Sequence, residues 1–334
     1  MRVGIDLGGL TGGHAVRGIG VHTSQLWQAL EQESKGTKKF KISKYSPGKK
    51  YDLVHFTVFK PFVLSLPFNK PAPKVILTIH DLTPLIYPKH YPPGVKGKLI
   101  FFLQKILIHR SVDAIITISE TSKKDICRFL GAAPEKVFVI YLAPREIFKK
   151  VINEKALSQV SAKYKLPRDF VLYVGDVNYN KNIPNLIKAC QIADLPLVIC
   201  GKQAKEIERM DLNHPELRHL KDINWSGVKR LGFVPDIDLP AIYSLAKVYC
   251  QPSYYEGFGL PVLEALTCGC PVVVAKTQAL VEIATEDVAF VDHKDPDDIA
   301  RGLNGPFQKL KSELPGKYSW AKTAKKTLNV YTQI

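Results

Sequence analysis

Glu256 and Glu264 stand eight positions apart in SYYEGFGLPVLEALTCGCPVVVA, with Gly257, Gly259 and Pro261 between them. A segment built only to pack has no need of a carboxylate beside a glycine. Glycines leave backbone N–H groups uncovered, and a proline fits the first turn of a helix, so the stretch reads as strand, tight loop and helix ending at Gly269. The N-terminus of such a helix suits an anion, and a diphosphate in particular. Two acceptor-only groups flanking a phosphate cradle can hold sugar hydroxyls on one side and ribose hydroxyls on the other. The same pair could be the acid and base of a glycoside hydrolase, although one short loop-helix segment of a parallel sheet is an unusual place for it.

Three other stretches carry candidate chemistry. Lys181, in VGDVNYNKNIPNL, lies just before a helix opening near Ile183-Pro184, where a cation is unfavourable unless an anion lies between them. His80-Asp81 closes the strand KVILTIHD, a place that suits a hydrogen-bonded core histidine as readily as a reacting one. GGLTGGHAVRGIGVHT packs Gly8, Gly9, Gly12, Gly13, Gly18 and Gly20 before a helix. Its spacing is not G-x-G-x-x-G and no acidic residue closes a second strand, which argues against a nicotinamide or flavin site. The six cysteines sit in apolar runs, apart from the close pair Cys268 and Cys270, and read as reduced thiols and not as a disulfide framework or zinc site; no cofactor is expected.

The elements that must position these groups alternate. Short, nearly continuous β-branched runs (VGIDL, YDLVHFT, KVILTIHD, AIITIS, KVFVIYLA) are separated by helix-period segments, and the pattern restarts at FVLYVGD. That is the signature of parallel sheets covered on both faces. The prediction is an α/β chain of two doubly wound Rossmann-like domains facing across a cleft, with ligands at the carboxyl ends of the strands. Residues 1–150 form the first and residues 151–316 the second, joined through a polar linker around KKVINEKALSQVSAKYKLPRD. The last helix, 317–334, is expected to cross back to the first domain.

These motifs resemble the retaining glycosyltransferases of family 4, which have the two-domain GT-B architecture. The resemblance runs nearly the full chain through GIDLGG, GIGVHT, TIHDLTPLIYP, ITISETSKKDI, YVGDVNYNKNIPNLIKA, LGFVPDIDLPAIYSLAKVYCQPSYYEGFGLPVLEALTCGCPVVVA and YSWAKTAKKTLNVY. The E-x7-E pair within EGFGLPVLEA is its most specific element. The resemblance implies that Glu256 faces the donor sugar, that the amides of Gly257, Phe258, Gly259 and Leu260 bind sugar and phosphate, and that Glu264 holds the ribose. Lys181 would neutralise the diphosphate, with Asn180 beside it and Lys202 as a helper. His80 would lie near the transferred sugar and acceptor, Gly18 and Gly20 would border the phosphates, and Val234 the nucleobase. Family members commonly carry Arg where this chain has Asn180, which removes one cationic partner. The implied activity is a metal-independent hexosyl transfer from a nucleoside-diphosphate sugar, in surface polysaccharide or glycolipid assembly. The HDLTPL form leans towards GDP-mannose, with a UDP-sugar as the other donor. A nucleotide-sugar epimerase of the same fold and a non-catalytic sugar-nucleotide binder are the competing readings.

Charge adds a partner class. The formal net charge is +16, of which residues 1–150 hold +14 and residues 151–334 only +2. A one-sided basic field implies an anionic partner. No nucleic-acid motif accompanies it. KGKLIFFLQKILIHR, residues 96–110, mixes cations with large apolar residues, so an anionic membrane surface and a lipid-linked or sugar acceptor are expected, unless that helix simply packs in the core. MRVGIDL runs straight into a strand, so no secretory leader is expected, and no run approaches ~18 uncharged apolar residues, so no transmembrane helix is expected. The predicted location is cytoplasmic and peripheral on the inner face of the membrane.

Overall fold

The computed structural model describes residues 1–10, 18–284, 288–307, 316 and 318–334. They divide into two compact units, Met1–Ala143 with Gly316–Ile334, and Pro144–Pro315. Gly12 and Gly13 of the glycine-rich loop lie outside the described residues.

The first unit contains strands β1 (Arg2–Asp6), β2 (Lys41–Lys44), β3 (Leu53–Phe56), β4 (Lys74–Thr78), β5 (Ala114–Thr117) and β6 (Val137–Val139). Its helices are α1 (Gly18–Lys35), α2 (Thr83–Ile86), α3 (Gly94–Ser111) and α4 (Glu120–Leu130). The strands form one six-stranded sheet in the order β2-β1-β3-β4-β5-β6, with every neighbour parallel. β3 and β5 are buried along their whole length because helices cover both faces.

Two details depart from the sequence reading. α1 begins at Gly18, so Gly18 and Gly20 lie in the first turn of the helix and not in the loop before it. β2, KISK, was not legible in the sequence: it is an edge strand with no buried residue, so it carries no apolar run.

The second unit opens with α5 (Glu154–Tyr164), β7 (Val171–Val174), α6 (Ile183–Ile192), β8 (Leu197–Cys200), α7 (Lys202–Lys205) and β9 (Val228–Gly232). It continues with α8 (Leu239–Leu245), β10 (Val248–Gln251), α9 (Leu260–Thr267), β11 (Val272–Ala275), α10 (Gln278–Ile283), β12 (Val288–Val291) and α11 (Pro296–Leu303). The expected linker thus holds a helix, α5, whose N-cap Asn153 accepts from the Ala156 N–H at 3.0 Å. The all-parallel sheet runs β12-β11-β10-β7-β8-β9, so the connection reverses direction between β7 and β10. At such a switch point the loops leaving two adjacent strands diverge, and the crevice outside their carboxyl ends takes the ligand.

The chain's last helix, α12 (Trp320–Gln333), packs on α1 in the first unit. There the Tyr331 hydroxyl lies 2.7 Å from His55 Nδ1, and His55 Nε2 lies 2.7 Å from Thr78 Oγ1.

Candidate donor site and its relatives

Residues 252–259 leave β10 and residues 175–182 leave β7, and the fold stitches these two switch-point loops together. Asn182, held at φ 55°, donates from Nδ2 to the Pro252 carbonyl at 2.9 Å and to the His293 carbonyl at 2.7 Å. Asn tolerates this left-handed conformation better than most side chains. Asn180 is buried; its Nδ2 donates to the Tyr255 carbonyl at 3.0 Å, and its backbone carbonyl accepts from the Tyr254 N–H at 2.8 Å. The carboxamide of Asn180 therefore fixes the Glu256 loop. Close backbone approach supports the neighbouring strand ends as well: a Cβ on Gly201 would stand 2.1 Å from the Gly175 carbonyl oxygen.

Stitching these loops brings Lys181 onto Glu256. Lys181 Nζ donates to Oε1 at 2.9 Å and Oε2 at 2.8 Å, and the Ser253 hydroxyl donates to Oε1 at 2.6 Å. The Glu256 side chain is only 8% exposed and that of Lys181 23%. A buried carboxylate held by two partners is fixed in one orientation. The cation expected on a diphosphate thus sits within reach of the carboxylate expected on the sugar.

Gly259 marks the next step, the entry to α9. Its φ is +109°, and a Cβ there would stand 2.7 Å from Leu280 Cδ2 and 2.9 Å from Ile283 Cδ1. Only glycine fits both the backbone and the space. Pro261 then falls in the first turn of the helix. Phe258 is buried, so its ring serves packing, and Leu260 is half-buried.

Glu264 projects from α9 into a fully packed environment. The Tyr243 hydroxyl donates to Oε2 at 3.2 Å. Burial raises its carboxyl to about 7, opposed by the charge of Arg145. Arg145 pairs with Asp236, donating to Oδ1 at 2.9 Å, and lies over the Phe148 ring. Val234, after β9, is buried two residues before Asp236. Sequence reasoning missed Ser253, Asn182, Tyr243 and Arg145; only Ser253, three positions before Glu256, carried a local signal. Lys202 opens α7 and lies 3.9 Å from Glu206 in an exposed pair.

In the first unit, His80 follows β4 and is buried, its Nε2 2.9 Å from His22 Nδ1. Burial lowers its imidazole to about 4, against a small opposing effect of Asp81. Gly18 is exposed and open, with no atom within 4 Å of where a Cβ would stand, whereas Gly20 is buried. Among the described residues, no group of three or more His, Cys, Asp or Glu side chains could hold a metal ion.

Two family models match the chain, Glycosyltransferase Family 4 over residues 13–143 and Glycosyl transferases group 1 over residues 155–311. The chain belongs to glycosyltransferase family 4, among the group 1 enzymes. It is 30% identical over 291 residues, 82% of its length, to a serotype-specific mannosyltransferase of Escherichia coli, but spans only 35% of that protein. It is 28% identical over 289 residues to the O-antigen chain mannosyltransferase B of Escherichia coli, covering 77% of this chain and 70% of that one. A sucrose-phosphate synthase from Thermosynechococcus elongatus superposes with a TM-score of 0.70 at 19% identity, covering 100% of this chain and 98% of that one. Anabaena HepE in complex with UDP and glucose gives 0.67 at 15% identity, covering 100% and 99%. The two sheets, with their interleaved helices and these neighbours, are the α/β GT-B fold of the family.

Proposed function

We propose that this protein is a retaining, metal-independent glycosyltransferase that moves a hexose from a nucleoside-diphosphate sugar to an acceptor hydroxyl in cell-surface polysaccharide or glycolipid assembly. The observation that carries the reading is the Lys181–Glu256–Ser253 cluster at the β7/β10 switch point, directly before the N-terminus of α9. Lys181 exchanges its carboxylate partner for the diphosphate as the donor enters, and Glu256 is then released to accept from sugar hydroxyls. Glu264 accepts from the ribose, and the backbone amides of residues 257–260 and the α9 dipole receive phosphate oxygens. In the transfer, the acceptor oxygen bonds to the anomeric carbon as the bond to the phosphate oxygen breaks, and the acceptor proton passes to that phosphate on the same face. Lys181 and the helix dipole stabilise the charge that grows on the leaving group. His80 is assigned to the transferred sugar. Mannosyltransferases among the relatives support mannose as the sugar, and GDP as its carrier follows the lean of the HDLTPL stretch.

The acceptor, on this reading, is lipid-linked and met at an anionic membrane on the cytoplasmic side. No helix among the described residues is long and apolar enough to cross a membrane. α3 offers a surface instead. It buries Gly97, Gln104, Leu107, Ile108 and Ser111 and leaves Val95, Leu99, Phe102 and Ile106 exposed, Phe102 by 61%. That spacing puts the four on one face of the helix. Gln104 donates to the Pro61 carbonyl at 3.0 Å and holds beside α3 a loop that exposes Val63, Leu64 and Phe68. Lys96 and Lys98 flank the stripe, complementing anionic headgroups.

The test is turnover. Incubation with GDP-mannose and with UDP-sugars is expected to release nucleoside diphosphate with retention at the anomeric carbon, without added metal. Tight donor binding without turnover, or an epimerised sugar, would overturn the reading. Vesicles with anionic lipid should sediment the protein at low salt and lose it on Leu99→Asp with Phe102→Asp; indifference to such vesicles would point to a soluble acceptor.

A further inference from the structure

Two buried imidazoles face each other in the first unit. His22, on α1, and His80 place their rings edge to face with centroids 4.6 Å apart, and Nδ1 of His22 lies 2.9 Å from Nε2 of His80. Trp320 of α12 lies against His22, its ring 6.1 Å away. Burial holds His80 at about 4 and His22 well below its ordinary value, so both rings are neutral near pH 7.

A neutral imidazole has one N–H and one lone pair, so two such rings in hydrogen-bond contact share a single proton. Placing that proton settles what the far side of each ring offers. The far nitrogen of His80, Nδ1, is buried and has no hydrogen-bond partner among the described residues. An orphaned buried N–H is rarer in folded proteins than an under-used acceptor. The proton therefore belongs on the shared side of His80, which leaves Nδ1 as a bare lone pair waiting for a donor.

We propose that His22 is a positioning residue that fixes His80 as its Nε2–H tautomer, so that His80 Nδ1 accepts a hydrogen bond from a sugar hydroxyl. The second half of this statement rests on the assignment of His80 to the transferred sugar. The sequence gives no sign of the pair, because the two histidines are 58 positions apart and meet only through the packing of α1 against the sheet.

The experiment uses histidine-labelled full-length protein, with ¹⁵N NMR to read the tautomer of His80 and donor turnover to read its consequence. His22→Leu keeps bulk and removes the acceptor; His22→Asn puts an amide oxygen close to the position of Nδ1. In wild type, His80 Nδ1 should resonate as an unprotonated, pyridine-type nitrogen. His22→Leu should mix the tautomers and lower kcat about tenfold with donor Kd unchanged, and His22→Asn should restore both the tautomer and most of kcat. A protonated Nδ1 in wild type, or a folded His22→Leu protein with wild-type kcat, overturns the proposal. Should His22→Leu fail to fold, the wild-type and His22→Asn spectra still decide the tautomer. Wild-type turnover in His80→Ala would instead remove the sugar assignment, while the NMR result would stand or fall by itself.

Discussion

Donor binding should depend on pH through Glu264, because the buried carboxyl is held near 7 in the unliganded protein. A group accepting from two ribose hydroxyls works as a carboxylate, since the protonated form spends one oxygen as a donor. Binding the donor below pH 7 therefore requires loss of a proton. With a carboxyl at about 7, affinity falls about tenfold per pH unit below that value, and about a hundredfold between pH 8 and pH 5, or ~2.7 kcal/mol at ~1.36 kcal/mol per unit. Stability runs the opposite way. A carboxyl raised from 4.5 to about 7 stabilises the unliganded fold at low pH, and that contribution is lost as pH rises through 7. The assay is titration calorimetry with the nucleoside-diphosphate sugar, whose phosphates do not titrate in this range, in buffers of different ionisation enthalpy. About 0.9 proton should be released per donor bound at pH 6, and Glu264→Gln should bind more weakly at pH 8 but with a flat profile. A wild-type affinity constant from pH 5 to 8, or an unchanged slope in Glu264→Gln, would refute the reasoning.

Lys181→Ala should lower turnover by on the order of 10²-fold, the scale of one lost electrostatic stabiliser, and should lower stability by about 1–3 kcal/mol, because it leaves Glu256 buried with only Ser253; turnover within threefold of wild type would remove Lys181 from the leaving-group role. Gly259→Ala should destabilise by about 1–3 kcal/mol through its positive φ and the clash with Leu280, read as a lower urea midpoint with weaker donor binding. Acid should unfold the first unit. The lowered imidazoles of His55, about 3, and His80, about 4, contribute stability that is full above pH 6.5 and is lost as pH falls towards those values, on the order of 3 kcal/mol for His80 alone. His22 adds in the same direction, so the urea midpoint of the first unit should fall between pH 7 and 4.5; a constant midpoint would show that these rings are solvated.

Alternating apolar runs and helix-period segments determine the parallel α/β class, because a strand buried on both faces must be apolar throughout and a covering helix must not be. Local chemistry determines the shape of the loop entering α9 too: Gly259 and Pro261 fit one backbone path, and Glu256 and Glu264 can be read directly. Elements without an apolar signal escape that logic. β2 is a polar edge strand, and α5 buries no residue fully, so its composition resembles a linker. α3 is apolar on nearly every side, and its periodicity cannot say which face packs; contact with the 60–68 loop decides that Val95, Leu99, Phe102 and Ile106 are left to solvent. Pairings across long separations belong wholly to tertiary structure. Lys181 meets Glu256 over 75 positions because strand order places β7 beside β10. The carboxyl of Glu264 is lifted because α8 and α9 close over it. A residue's type fixes what chemistry it can do, and only the surrounding packing fixes its partner, its solvation and hence its charge.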